Sequence, residues 1–242
     1  MKKSRVKTWV FVIFIWLFFM GFLSLGVLML VRVNDQITLE DEIYNLESLM
    51  SAEYPDDVFL EERFQTLVTN GAYADVERAL KNYLKEYYET YQEIKALYED
   101  DTIAGLLSYQ NMMVDGPIFS SSLSYAEKFK TKLSALSLKE EKLYDEDYYM
   151  SFYSSSSNDA YYKEYYEEQI KDYLGTSESI KEELDDTLNV VQIEIDILNH
   201  LKNNQGSWYL EKGGLYFSDA EVEKEYYLLL NKFNESEESV DL

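Results

Sequence analysis

The sequence predicts an all-α protein. Gly and Pro together supply only 11 of 242 residues, too few for the frequent turns that an all-β domain needs. Apolar residues recur every three or four positions over long stretches, which is the period of an α-helix. These two observations predict a helical bundle, and one short segment near the C-terminus predicts a small β-hairpin beside it.

An uncharged run of 23 residues, Trp9–Val31, predicts a transmembrane helix. Such a helix is about 34 Å long, enough to cross a hydrocarbon core of ~30 Å. Four basic residues precede the run and only Arg32 follows it closely, so the positive-inside rule places residues 1–8 in the cytoplasm and the C-terminal domain outside. The run is longer than the apolar region of a signal peptide and lacks an Ala-x-Ala site, which predicts an uncleaved signal anchor.

Three further segments are expected beyond the anchor. Residues 32–56 are predicted to form a juxtamembrane helical stalk, because Leu39, Ile43, Leu46 and Met50 share one helix face. Residues 57–233 are predicted to form an acidic helical ectodomain, and residues 234–242 a disordered acidic tail.

Helix start and stop signals divide the ectodomain into successive helices. We expect helices at about 57–69, 73–99, 100–113, 124–149 and 161–174, then one of ~25 residues that is capped by Ser177, and a last one at about 219–233. Ser124 and Ser218 each have a Glu three residues later, a capping-box spacing that predicts a helix start. The clearest apolar stripe follows Ser177 and is typical of a central bundle helix; it comprises Ile180, Leu184, Leu188, Val191, Ile195 and Leu198.

The predicted hairpin covers about residues 207–217. Two aromatic runs, Trp208-Tyr209-Leu210 and Leu215-Tyr216-Phe217, flank a turn that contains Gly213 and Gly214. Trp208 is the only tryptophan outside the predicted membrane segment. Two interpretations stay open: Trp208 closes the bundle as a core residue, or Trp208 and Tyr209 stay exposed as an aromatic anchor for a partner.

Beyond Arg32 the chain carries 17 basic and 46 acidic residues, a net charge of −29. Such a domain is repelled by nucleic acid, and it favours a basic partner. Its basic cluster comprises Lys128, Lys130, Lys132, Lys139 and Lys142. This cluster either binds an acidic partner or pairs with acids of the domain itself.

Tyrosine is unusually abundant, with 23 residues that all lie at or beyond Tyr44. Several occur as adjacent pairs, which cannot both point into a core because neighbours on a helix differ by about 100°. The tyrosines therefore either line the bundle edge or form a binding surface. The candidate partner-binding residues are Tyr148, Tyr149, Tyr161, Tyr162, Tyr165, Tyr166, Trp208 and Tyr209.

Sequence motifs for chemistry are absent. The chain has no cysteine, which excludes disulfides, thiol nucleophiles and zinc–thiolate sites, and its single histidine, His200, argues against a multi-histidine metal site. The sequence also lacks a phosphate loop and the common hydrolase motifs. We therefore predict no catalytic residues, no cofactor, no metal and no enzymatic activity.

These features predict a single-pass protein of a bacterial cell envelope. It contacts the bilayer through Trp9–Val31 and another protein, either basic or membrane-embedded, through its extracytoplasmic domain. The expected role is that of a scaffold or an accessory subunit of an envelope or secretion complex. The alternatives are an acidic, immunity-type neutraliser of a basic extracellular protein, or a ligand-sensing bundle that acts through a partner.

Overall fold

The computed structural model describes residues 29, 31–52, 54–100, 102–155, 157, 159–174 and 177–237. The predicted cytoplasmic tail, nearly all of the predicted anchor Trp9–Val31 and the last five residues of the predicted acidic tail lie outside this part. Among the residues described, no helix is long and apolar enough to cross a bilayer. The membrane anchor therefore stays a prediction from the sequence.

The described chain is mostly helical and ends in a hairpin followed by one more helix, which confirms the all-α class and the small C-terminal hairpin. Residues 31–50 are helical and are called α1. The following elements are α2 (Asp57–Gln65), α3 (Gly71–Tyr98), a 3₁₀ turn (Ile103–Gly105), α4 (Tyr109–Asp115), α5 (Ser120–Leu143), α6 (Glu146–Ser151), α7 (Ala160–Leu174), α8 (Ser177–Asn203), β1 (Trp208–Glu211), β2 (Gly214–Phe217) and α9 (Ala220–Glu237).

Helix α5 begins four residues before the predicted capping box at Ser124. The carboxylate of Asp115, the last residue of α4, accepts hydrogen bonds from the backbone N–H groups of Ser121 (3.2 Å) and Ser122 (2.7 Å). A carboxylate at this position satisfies free N–H groups and interacts favourably with the helix dipole. The N-terminus of α5 is therefore capped from the preceding helix.

Helix α9 also uses an aspartate instead of the predicted serine cap at Ser218. The Asp219 carboxylate accepts hydrogen bonds from the backbone N–H groups of Glu221 (2.9 Å) and Val222 (3.3 Å). The helix then continues to Glu237, so the first residues of the predicted disordered tail are helical.

The chain divides into two compact units. The first unit comprises residues up to Asn82 together with Phe152–Glu167, and the second comprises Tyr83–Ser151 and the chain from Glu168 onward. Helices α3 and α7 each contribute residues to both units.

The first unit is organised around a buried ion cluster. The Lys81 ammonium of α3 lies 2.6 Å from Glu42 Oε1 of α1 and 2.8 Å from Glu77 Oε1 of α3, and all three side chains are almost fully buried. Lys81 also donates to the Thr66 carbonyl oxygen (2.5 Å), and Arg63 of α2 pairs with Glu42. The cluster therefore joins α1, α2 and α3, and residues of the predicted stalk are part of this packed unit.

Glu77 is the best-satisfied carboxylate of the cluster. Burial alone would raise the pKa of its carboxyl, but hydrogen bonds from Lys81, from Thr69 and from the backbone N–H of Val68 outweigh that effect and lower the pKa below its ordinary value. Its negative charge is therefore retained inside the fold.

The second unit is organised around the apolar face of α8. Helices α5 and α9 both pack against this helix. Four of the predicted stripe residues, Leu184, Val191, Ile195 and Leu198, are buried, and Leu188 and Ile180 are partly buried. The helical stripe predicted from the sequence is therefore confirmed.

Replacing Lys81 by methionine removes the buried ammonium and leaves the Glu77 carboxylate without its cation. We expect Lys81→Met to lower the free energy of unfolding by about 3–5 kcal/mol, since an uncompensated buried charge is costly. Lys85→Met is the matched control on the same helix, because the Lys85 side chain is 33% exposed and lies 3.9 Å from Glu89 Oε1. The control should lose less than about 0.5 kcal/mol. Urea unfolding followed by circular dichroism measures both, and equal losses would contradict the role of the cluster.

Candidate functional site

Four of the candidate tyrosines, Tyr161, Tyr162, Tyr165 and Tyr166, lie in the first half of α7, in the first unit. Tyr161 and Tyr73 have their hydroxyl oxygens 3.3 Å apart, and both donate to Gln36 Oε1 of α1, at 3.2 Å and 3.4 Å. The Tyr165 hydroxyl donates to Glu40 Oε1 of α1 (3.2 Å). The hydroxyl groups thus join α7, α1 and α3 within this unit.

The Tyr73 ring packs edge to face against the Tyr162 ring. Their centroids are 5.1 Å apart with near-perpendicular planes, a favourable aromatic geometry. The guanidinium of Arg32 lies 4.2 Å from the Tyr161 ring centroid and 4.9 Å from that of Tyr162, and its Nη2 lies 3.0 Å from Asp159 Oδ2. Burial, together with the neighbouring Glu40 carboxylate, raises the pKa of the Tyr165 hydroxyl.

Most of the candidate tyrosines are buried or half-buried by packing within their own unit. Tyr165 and Tyr166 are buried in the first unit, and Tyr149 of α6 is buried in the second. Tyr161, Tyr162 and Tyr148 are half-buried. Because the tyrosine-rich segment 144–166 is divided between the two units, its residues do not gather within one unit as a single aromatic patch.

The hairpin has an inner and an outer face. Trp208 pairs with Phe217, and Tyr209 pairs with Tyr216 in the antiparallel register. Trp208 is 9% exposed, its indole N–H donates to the Leu201 carbonyl oxygen of α8 (2.7 Å), and its ring stacks on Phe119. The structure therefore favours the interpretation of Trp208 as a core residue.

Tyr209 and Tyr216 form the outer face of the hairpin. Their rings stack with centroids 5.7 Å apart, and the two residues stay 49% and 46% exposed. The turn between the strands has positive φ at Lys212 and Gly213, as a tight two-residue hairpin turn requires. Of the two residues that the sequence offered as an aromatic anchor, Tyr209 is thus the accessible one.

Contacts at the base of the hairpin fix it to the helices. The Ser218 backbone N–H donates to the Ser207 carbonyl oxygen (2.8 Å), and the Phe217 and Tyr226 rings lie 5.1 Å apart. The single histidine, His200 of α8, is buried, and its Nε2 lies 2.9 Å from the Val222 carbonyl oxygen of α9. These contacts connect α8, the hairpin and α9.

The basic cluster on α5 makes contacts inside the second unit. The Lys139 ammonium lies 3.0 Å from Glu93 Oε1, and the Lys130 ammonium donates to the Gln192 side chain. The interpretation in which lysines pair with groups of the domain itself is favoured for these two residues.

Glu140 is a buried charged residue that was not found from the sequence. Glu140 of α5 is 3% exposed, and its Oε1 atom has no hydrogen-bond partner among the described residues. Burial raises the pKa of its carboxyl, and the neighbouring Tyr144 hydroxyl and Lys181 ammonium offset this effect only in part. The sequence signal was a Glu four residues after Leu136 and three before Leu143, on the apolar stripe of α5.

The described residues contain no group of three or more His, Asp or Glu side chains that could hold a metal ion. No protein-family model matches the sequence, and no curated protein or solved structure shows significant similarity to it. The candidate sites are therefore interpreted from their geometry.

Removing the indole tests its role in the core. We expect Trp208→Ala to lower the free energy of unfolding by about 3–5 kcal/mol, since it leaves a large cavity and frees the Leu201 carbonyl. The neighbouring Tyr209→Ala should lower it by no more than about 1 kcal/mol, because that ring is half-exposed and contributes a cross-strand stack on Tyr216. Chemical denaturation of the purified protein measures both, and wild-type stability in Trp208→Ala would contradict the assignment.

The buried Glu140 carboxyl predicts a specific pH dependence. Its pKa is raised by folding, so its contribution to stability is fully present below the unfolded pKa of about 4.3 and is lost as the pH rises through the folded pKa. Glu140→Gln removes this loss, and the variant should gain stability relative to wild type as the pH rises above the unfolded pKa of about 4.3. The exposed Glu127→Gln on the same helix is the control. Parallel pH profiles for wild type and Glu140→Gln would refute the prediction.

Proposed function

We propose that this chain is a single-pass membrane protein that binds another protein outside the cytoplasmic membrane. It serves as a scaffold or accessory subunit of a cell-envelope or secretion complex. The proposal joins the predicted anchor Trp9–Val31 to a helical domain that exposes an aromatic surface on a well-anchored hairpin. Binding alone is required, and no reaction step is part of the proposal.

The stacked Tyr209–Tyr216 pair is the observation that carries the proposal. Cross-strand stacking stabilises a hairpin by up to about 1 kcal/mol, but about half of each residue still contacts solvent. Tyrosine combines a large, rigid contact area with a hydroxyl, and it is enriched among the residues that dominate binding energy. A partner that covers this pair gains that area without reorganising the hairpin.

Exposed apolar residues also lie in α4 and in the turn after it. Val114 of α4 is 83% exposed and Ile118, in the turn after α4, is 56% exposed. The Gln205 side-chain amide donates to the Pro117 carbonyl oxygen (3.3 Å), which joins this turn to the residues just before the hairpin. We call Tyr209 and Tyr216 the hairpin surface. Exposed side chains of this kind support a protein contact.

The negative charge of the domain favours a basic partner. The net charge of −29 beyond Arg32 attracts a basic protein and speeds its association. The same charge supports the second candidate function, an immunity-type neutraliser of a basic secreted protein. The two candidates differ in the number and location of the partners: an envelope complex contains several proteins, and a neutraliser binds one secreted protein.

The test is a comparison of affinity purifications from cross-linked cells of the native host. The double variant Tyr209→Ser/Tyr216→Ser should reduce recovery of the partner at least about tenfold, because it removes two aromatic anchors. Tyr54→Ser is the control, since Tyr54 is exposed but lies away from the hairpin in the chain, in the first unit. Unchanged recovery with the double variant would overturn the role of the hairpin surface. Recovery of one basic secreted protein alone would favour the neutraliser.

A further inference from the structure

The Glu140 carboxylate, whose Oε1 has no hydrogen-bond partner among the described residues, lines a small cavity in the second unit. The walls come from α3, from the end of α5 and from α8, and the cavity volume is about 10 Å³. Three aromatic residues, Tyr87, Tyr91 and Tyr144, line the same cavity. The space is that of about one water molecule.

A larger cavity of about 260 Å³ adjoins the first. The two cavities share Tyr91, Ile94 and Ile180 as wall residues. Leu184 and Tyr98 extend the apolar wall of the larger cavity, and the exposed residues Glu183, Glu99 and Lys95 lie at its rim. The Lys95 ammonium lies 3.9 Å from Glu99 Oε1, so Glu183 is the rim carboxylate considered for a ligand.

One oxygen of the Glu140 carboxylate is left for a cation. The neighbouring Tyr144 hydroxyl stabilises the carboxylate in part, but Oε1 is buried without a hydrogen-bond donor among the described residues, and a positively charged donor relieves it. The nearby Lys181 does not fill this role, because its ammonium lies 3.3 Å from Glu141 Oε1 and its side chain is 50% exposed. The aromatic residues in the same cavity wall favour an organic cation through cation–π attraction.

The volume of the small cavity and the number of its oxygen ligands decide which cation fits. Glu140 is the carboxylate in the wall of the small cavity, whereas Ca²⁺ or Mg²⁺ requires about six oxygen ligands. A protonated primary amine is about as large as water and fits the small cavity, and a trimethylammonium group is too large for it. The apolar wall of the larger cavity accommodates a methylene chain, and Glu183 at the rim accommodates a second positive charge.

We infer that these two cavities bind a linear aliphatic diamine or polyamine. One terminal ammonium donates to Glu140 Oε1 in the small cavity that Tyr87, Tyr91 and Tyr144 also line. The methylene chain lies against Ile94 and Ile180, and the other ammonium reaches Glu183. This small-molecule site is separate from the hairpin surface, so its test does not depend on the proposed protein partner.

The test is isothermal titration calorimetry of the full-length protein in a mild detergent, with 1,4-diaminobutane as the probe. We expect saturable binding that weakens at least tenfold in Glu140→Gln and is unchanged in Glu127→Gln. The second change removes the same charge from an exposed position of α5, so it controls for general attraction of amines to an acidic protein. Tetramethylammonium and 1-butanol should not bind, because one is too large and the other lacks the charge.

A second variant tests the site without changing its charge. Ile180→Trp fills the shared wall, and it should abolish diamine binding while the helical circular dichroism signal is retained. Equal affinity in Glu140→Gln and wild type would overturn the inference. Binding of 1-butanol as strong as that of the diamine, or competition by tetramethylammonium, would also overturn it.

Discussion

The apolar face of α8 is the feature on which the second unit depends. Helices α5 and α9 pack against it, and the indole of Trp208 bonds to the carbonyl of Leu201 near its end. A two-stranded hairpin of four residues per strand is only marginally stable alone. Its rigidity here comes from the helix beneath it, and this rigidity leaves Tyr209 and Tyr216 displayed on the opposite face.

The first unit is stabilised in a different way. Its helices are joined by buried charges around Lys81 and by tyrosine hydroxyl groups that reach Gln36 and Glu40. A chain rich in acids and tyrosines supplies such contacts readily, because a tyrosine ring packs like an apolar residue while its hydroxyl satisfies a polar neighbour. The abundance of tyrosine thus has a packing explanation in this unit.

Helical periodicity and turn residues were sufficient to predict the main helices and the hairpin. They were not sufficient for the caps of α5 and α9, because Asp115 and Asp219 each compete with a serine that has equally good capping chemistry. The choice depends on where the backbone enters the helix, which requires the tertiary structure.

Buried charged residues, among them Lys81 and Glu140, were also missed. Sequence patterns assign charged residues to the solvent face, and only the packed neighbours show that Lys81 has two carboxylate partners and that Glu140 Oε1 has none. The candidate tyrosines were identified by their abundance. Abundance does not show which rings face inward, and the structure leaves Tyr209 as the most exposed of the eight candidates.

Cysteine labelling tests directly whether a partner covers the hairpin outside the cytoplasmic membrane. The chain contains no cysteine of its own, so a single introduced cysteine reports on its own position. Single substitutions Tyr209→Cys and Tyr54→Cys are treated with a membrane-impermeant maleimide, first on intact cells of the native host and then on the purified protein. We expect the cysteine of Tyr54→Cys to react in both samples. The cysteine of Tyr209→Cys should react only after purification, because a partner covers the hairpin in cells. Equal reaction of both positions in intact cells would contradict a bound partner, and failure of the Tyr54→Cys variant to react until the cells are permeabilised would contradict an extracytoplasmic domain.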